Sequence, residues 1–206
     1  MNANSIKLAL AAISQKMTEN VDLLTELDQQ SGDGDLGVSM KSGFEAAKQF
    51  SSESAELDCG RLLNFTADAF NKEAPSSLGT ILAFFMKGMA RSLKGKKEFE
   101  LQELAAAMQT GISSVMAKAG SKVGEKTVLD SLVPGVEALT REAPNGKIAF
   151  SAAALAAAEG SEATRGMKAV WGRAAYYGEK SIGRLDGGSV VGKIIFESLN
   201  DLVSVT

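Results

Sequence analysis

Histidine is absent from this chain of 206 residues, and that absence excludes more than any other feature of its composition. A Ser-His-Asp triad, a histidine metal site and a phosphohistidine carrier all need an imidazole. Chemistry must therefore run on carboxylates, lysine, arginine, hydroxyls or a bound cation. Cysteine is nearly absent too. Cys59 stands alone, so no internal disulfide forms and a reducing, cytoplasmic setting is expected. A basic excess is missing: the formal net charge of −3 leaves no footprint for nucleic acid. No apolar run approaches the roughly 18 residues that span a bilayer, so no membrane partner is expected. The start, M-N-A-N-S-I-K-L-A-L-A-A-I-S-Q-K, lacks a basic lead followed by a cleavage site and reads as mature protein. Sustained apolar alternation with β-branched enrichment is also lacking, which argues against a sheet.

What remains is helical periodicity on a chain that is 45% hydrophobic, long enough to bury a substantial core as one domain over residues 1–206. Ile6, Leu10, Ile13, Met17, Val21 and Leu24 recur at steps of three and four. They predict one long amphipathic helix from Ser5 to Asp28, capped by Asn4 or Ser5. Further helices are expected over Val38–Phe50, Leu57–Asn71, Leu78–Leu93, Phe99–Lys118 and Thr127–Leu139. Thr127 and Asp130 give the last of these a cap signature. Ser151–Ala158 and Ala163–Tyr177 read as two helices around Gly160, and a final helix runs to about Val203. Leu78–Leu93 is apolar on most sides and is expected to be buried, whereas Lys94–Lys97 reads as a solvated loop. Eight or nine helices with short connections make an all-α domain of antiparallel neighbours.

The densest chemistry lies between Leu27 and Met40, L-D-Q-Q-S-G-D-G-D-L-G-V-S-M. From Met17 through Met40 there are six acidic residues and no Lys or Arg. Carboxylates crowded in this way repel unless a cation neutralises them or water screens them. Asp33 and Asp35 flank Gly34, so the backbone can aim both side chains at one point. Asp28 falls near a helix C-terminus, where the macrodipole disfavours an anion unless a cation sits beyond it. A hard cation such as Mg²⁺ suits this set; a solvated acidic turn with an aspartate cap would use the same residues. An EF-hand does not fit, because its fifth and twelfth positions, counted from Asp33, are Gly37 and Phe44.

Three weaker signals lie elsewhere. G-G-S-V-V-G-K-I from Gly187 to Ile194 nearly matches a phosphate-binding P-loop. However, Ile194 replaces the metal-binding hydroxyl and no strand precedes it. Gly187, Gly188 and Ser189 could still offer helix N-terminal N–H groups to an anion, or simply let two helices turn. Arg173, Lys180 and Arg184 stand among glycines, as phosphate-binding cations do and as ordinary surface charge does. Ser76 and Ser77, ahead of a buried helix, are phosphate donors or caps.

Together the segments resemble the nucleotide-binding L subunit of dihydroxyacetone kinase, a domain also fused within single-chain ATP-dependent kinases. The resemblance rests on L-D-Q-Q-S-G-D-G-D-L-G-V-S-M, on G-E-K-T-V-L-D-S-L-V-P-G-V-E-A-L, and on A-T-R-G-M with G-R-A-A-Y-Y-G-E-K-S-I-G-R-L-D-G-G-S. It implies an eight-helix antiparallel up-and-down barrel. It further implies that Asp28, Asp33 and Asp35 hold two Mg²⁺ ions against the phosphates of ADP or ATP, and that Leu36, Gly37, Val38 and Ser39 lie along those phosphates. Ser76 and Ser77 correspond to a phosphate turn, Val128 to a residue lining the nucleotide, and Arg173 to the arginine of the G-R-A block, counted with the aspartates as catalytic. Asp186, Gly187 and Gly188 correspond to a turn that closes over the nucleotide. The family's substrate is a small hydroxyketone or sugar held by a histidine on another subunit or domain, so the implied partner is a substrate-binding subunit. A phosphotransferase-system phosphocarrier and a second copy of the chain are further partners compatible with the resemblance. Leu36 and Ser39 depart from the family's His and Asn, A-P-S-S-L-G from a glycine-richer turn, and D-G-G from D-P-G. Those departures leave open a catalytically weakened, nucleotide-binding regulatory module.

Overall fold

The first helix shows how side chains set the boundaries. In the computed structural model, which describes residues 1–205, α1 (Ala3–Glu19) starts at Asn2. The Asn2 side chain accepts from the backbone N–H groups of Asn4 and Ser5, while Ser5 Oγ accepts from Asn2 N. The cap is therefore Asn2, and neither Asn4 nor Ser5. The long helix expected to Asp28 is broken at Asn20, whose Nδ2 and backbone N–H both return to Lys16 O at 2.8 and 3.1 Å. A side chain that competes for the helix's own carbonyl ends the helix there, and α2 (Val21–Gln29) restarts at once. The stripe survives the break: Ile6, Leu10, Ile13, Met17 and Leu24 are all buried.

Seven further helices follow: α3 (Leu36–Glu53), α4 (Cys59–Glu73), α5 (Ser77–Leu93), α6 (Leu101–Ala119), α7 (Leu129–Glu142), α8 (Ile148–Ala163) and α9 (Gly187–Ser204). Among the described residues no strand forms; Asn2 and Glu98 make one isolated antiparallel bridge. Gly160 does not divide two helices, and α8 runs straight through it. A Cβ there would lie 2.0 Å from Asp130 O and 2.8 Å from Pro134 Cγ, so this glycine lets α7 and α8 touch backbone to backbone. The helix expected over Ala163–Tyr177 does not form. Residues 164–186 make a strap with short 3₁₀ turns at Thr164–Gly166 and Arg173–Ser181. Gly172, Gly178 and Gly183 in that strap have φ of +66°, +54° and +91°, values that no right-handed helix accepts.

Each helix from α3 to α9 packs on the next, and α1 packs on both α3 and α9, closing the ring. Short connections between packed neighbours make them antiparallel. With α1 and α2 counted as one broken helix, this is the eight-helix up-and-down barrel implied by the family resemblance. Its core joins Met17, Met40, Phe70, Leu82, Met108 and Phe196, with the Phe44 and Phe70 rings edge to face at 4.8 Å. Inside lies an apolar cavity of about 400 Å³, lined by Ile13, Phe44, Phe85, Met108 and Ile195 among others. In an up-and-down ring alternate connections share an end. Residues 30–35, 74–76, 120–128 and the strap therefore meet at one rim, and all four contribute to a single cleft there.

Candidate functional site

Asp28 builds the floor of this rim. It sits on the last turn of α2, and its carbonyl accepts the N–H groups of Ser31 and Gly32. Its Oδ2 reaches forward to accept from Gly34 N at 2.8 Å and Asp35 N at 3.1 Å. One carboxylate thus folds the loop that carries the other two. Oxygens of Asp28, Asp33 and Asp35 all lie within 4.8 Å of one another. An all-carboxylate donor set at a helix C-terminus fits a hard divalent cation. Among the described residues the cation that pairs with this cluster is Arg173, whose Nη1 lies 2.7 Å from Asp33 Oδ2. Arg173 holds the Asp33 carboxyl below the usual carboxylate range. Asp35 is pushed upward by desolvation in the loop and by the charges of Asp33 and Asp28. Three anions against one exposed arginine leave an unmet demand for positive charge.

Opposite the carboxylates stand helix beginnings. The N-termini of α3, α5, α7 and α9 all border the same cleft, through Asp35 and Leu36, Ser76 and Ser77, Val128, and Asp186 to Gly188. Four positive dipole ends directed at one space favour an anion. The first turn of α3 receives no side-chain cap, so its N–H groups remain available. At α5, Ser76 Oγ accepts from Gly79 N at 3.0 Å and from Ser39 Oγ at 3.2 Å. At α7, Asp130 accepts from Thr127 N at 2.7 Å and from Gly124 N at 2.6 Å, which is the carboxylate half of the cap anticipated from sequence. At α9, Asp186 accepts from Ser189 N at 2.6 Å. Asp186 keeps some accessible surface at the bottom of the cleft but is surrounded in depth, and desolvation pushes its carboxyl up to about 7, with Asp130 adding to the rise.

The cleft measures about 660 Å³. Asp28, Asp33, Asp35, Leu36, Ser76, Ser77, Val128, Arg173, Asp186, Gly187 and Gly188 all line it. Three anticipated residues do not. Gly37 is pressed against α2, where a Cβ would lie 2.2 Å from Val21 O. Val38 points outward with 58% exposure, and Ser39 stands behind Ser76. Leu36 packs against Gly187, so it acts as apolar wall.

Residues 30–201 match the family described as the DAK2 domain. The chain belongs to the DAK2 domain family. It is 30% identical over 171 residues to the ADP-binding subunit DhaL of the PEP-dependent dihydroxyacetone kinase of Escherichia coli, covering 82% of this chain and 81% of that protein. A similar subunit of Listeria innocua is 26% identical over 185 residues, covering 90% of this chain and 89% of its own. The L-erythrulose kinase of Pectobacterium atrosepticum is 28% identical over 207 residues, which cover 98% of this chain but 35% of that longer protein. The crystal structure of the dihydroxyacetone kinase from C. freundii in complex with AMP-PNP and Mg²⁺ matches at TM-score 0.73 and 20% identity, a likeness of fold. It covers 97% of this chain, which spans 33% of that one.

Sequence reasoning missed what fastens the strap of this DAK2 domain. Lys126, buried and at φ +62°, sends its ammonium to four carbonyls: Thr164 at 2.9 Å, Met167 at 3.3 Å, Ser181 at 2.7 Å and Arg184 at 2.6 Å. Every acceptor belongs to the strap that carries Arg173. Trp171 Nε1–H donates to Glu125 Oε2 at 2.6 Å, and Val170 N donates to Glu125 O at 3.3 Å. Lys126 stands within the G-E-K-T block, but a surface lysine and a buried one look alike in sequence.

Proposed function

We propose that this chain is the Mg²⁺-dependent, nucleotide-binding phosphotransfer subunit of a dihydroxyacetone-type kinase. The observation that carries the reading is the pairing, across one cleft, of a three-carboxylate cluster with four helix N-termini. A metal–polyphosphate complex is the ligand class that satisfies both signs at once. Asp28, Asp33 and Asp35 would hold the cation, which the reading sets at two Mg²⁺ ions. When bound, Mg²⁺ neutralises phosphate charge and aligns the transferred group. The N–H groups opening α3 and the turn at Ser76 and Ser77 would donate to phosphate oxygens. Val128 and Leu36 supply apolar wall, and the Asp186–Gly188 turn borders the same ligand. Arg173, now paired with Asp33 in the open, is positioned to exchange that carboxylate for phosphate.

In the family resembled the substrate is held by a histidine, and this chain has none. The reading therefore places a small hydroxyketone or sugar on a partner subunit or domain, in the cytoplasm. The names of the Escherichia coli and Listeria innocua relatives favour ADP as the resident nucleotide, with a phosphotransferase-system phosphocarrier as donor. ATP is the donor in the alternative branch.

The test is thermal unfolding with ADP, with Mg²⁺, with both, and again for Asp33→Asn. At 100 times its dissociation constant the ligand adds about 2.7 kcal/mol, or about 5–10 °C for a domain of this size. The reading expects a shift that needs both components and is lost in the variant; a stripped, nucleotide-free protein that stays silent would overturn it. A second reading draws on Leu36, whose packing against Gly187 supplies no donor to phosphate: a nucleotide-binding regulatory module with weakened transfer. It expects the same thermal shift but no phosphotransfer when the substrate subunit is added.

A further inference from the structure

We propose that Trp171 is the residue that meets the base of the bound nucleotide, so that its indole face sets how tightly a nucleotide is held relative to a bare polyphosphate. This rests on the nucleotide reading above. Trp171 and Arg173 lie two residues apart on the strap, separated by Gly172 at φ +66°, and both line the cleft. Arg173 turns to Asp33 at the carboxylates. Trp171 turns instead to the α6–α7 connection, where Glu125 accepts its Nε1–H and the ring edge comes 3.8 Å from where a Cβ on Gly120 would lie. Leu78, Ile81, Ala119 and Val128 line the same cleft. One face of the site is therefore charged and another is apolar with a single aromatic, the division found in a nucleotide between phosphate and base.

The state of the ring supports this use. Its only polar atom is satisfied and the residue is 43% exposed, so whatever part of the ring faces the cleft is apolar π surface. Burying such surface under a flat heterocycle is favourable for any base. The ring is also held before a ligand arrives, by Glu125 at its N–H and by the Val170–Glu125 backbone bond beside it. Less side-chain freedom is then lost on binding.

Trp171 is the only tryptophan in the chain, so its fluorescence reports on this position alone. Mg-ADP is expected to change the emission of the wild-type protein, and Mg-pyrophosphate to leave it nearly unchanged. By calorimetry, Trp171→Ala should weaken Mg-ADP about tenfold or more, about 1.4 kcal/mol, with Mg-pyrophosphate affinity within about twofold of wild type. Trp171→Phe should recover most of the loss, and Glu125→Ala, which frees the ring, should lie between. Equal loss for both ligands would mean that Trp171 acts only by holding the strap and Arg173, and would overturn the assignment, as would no loss for Mg-ADP. A wild-type protein that binds Mg-pyrophosphate but not Mg-ADP, or binds neither, defeats the nucleotide reading itself and the assignment with it.

Discussion

At the scale of the residue, Lys126 is the side chain on which the rim depends. Its ammonium has three N–H groups and meets four strap carbonyls, the longest contact being Met167 O at 3.3 Å. Burial lowers its pKa, and the Asp186 charge acts the other way. Its left-handed backbone, unusual for a side chain with a Cβ, persists because these contacts require it. Lys126→Met keeps the length and removes the charge, leaving several buried carbonyls unmet at about 1–3 kcal/mol each. A loss of at least about 3 kcal/mol is expected, read as a drop of about 6–12 °C in Tm, together with faster proteolysis within residues 164–186. A variant that melts with the wild type and resists protease equally would remove Lys126 from this role. Asp186 gives a prediction in pH. Its folded pKa, about 7 against an ordinary 3.8, means that the folded state binds the extra proton between those values. Its contribution is thus fully present at the acid side of the window and is lost as pH rises to about 7, at up to about 1.4 kcal/mol per pH unit. Asp186→Asn, which keeps an oxygen to cap Ser189 N, should remove that slope from urea-derived stabilities between pH 4 and 7. An unchanged slope would assign the pH dependence to other groups.

At the scale of the element, helix ends matter more than helix middles. The same alternation that makes an up-and-down ring brings the starts of α3, α5, α7 and α9 to one rim, so the anion-favouring end comes with the topology. Close helix contact has its own requirement at Gly160. Gly160→Ala gains about 1 kcal/mol of helix propensity. It also forces a methyl to within 2.0 Å of Asp130 O, a backbone atom that cannot swing aside, and overpacking costs about 1–3 kcal/mol. The variant should therefore be less stable, by a margin that denaturant unfolding resolves; a more stable one would show that α7 and α8 separate freely. This glycine also marks where the sequence stops being legible. The apolar stripes of α3 to α6 predict those helices to within a few residues, because each buries one face. Gly160 reads equally as a break or as a contact until its neighbour is known. Asn20 carries no periodic signal, and the strap's short apolar spacing imitates a helix that its left-handed glycines forbid. The site divides in the same way. Asp28, Asp33 and Asp35 announce themselves by density within one loop. Lys126 and Trp171 gain their meaning only from residues 38 to 58 positions away.

At the scale of the whole molecule, the ring separates a stable wall from a working rim. Helices α3 to α9 each bury a face against both neighbours, whereas residues 164–186 are held mainly by Lys126, Glu125 and a few backbone bonds such as Gly183 N to Arg165 O at 2.7 Å. Segments with few buried apolar contacts open at lower free energy than the core. The opposite rim is tied differently: Cys59 N donates to Lys96 O, Gly95 N to Asp58 Oδ2, and Phe99 N to Met1 O. Nothing in that rim borders the carboxylate cleft. Hydrogen exchange of the ligand-free protein should therefore be fastest in the strap and in residues 30–35 and 120–128, relative to the helices they join. With Mg-ADP, protection should rise in these three segments and around residues 74–76, by tenfold or more where amides meet phosphate or close over it. Residues 54–58, 94–100 and 143–147 at the far rim should exchange as before. Protection spread evenly over both rims would mean that the ligand tightens the whole barrel, and would move the site away from the end where the four helix starts converge.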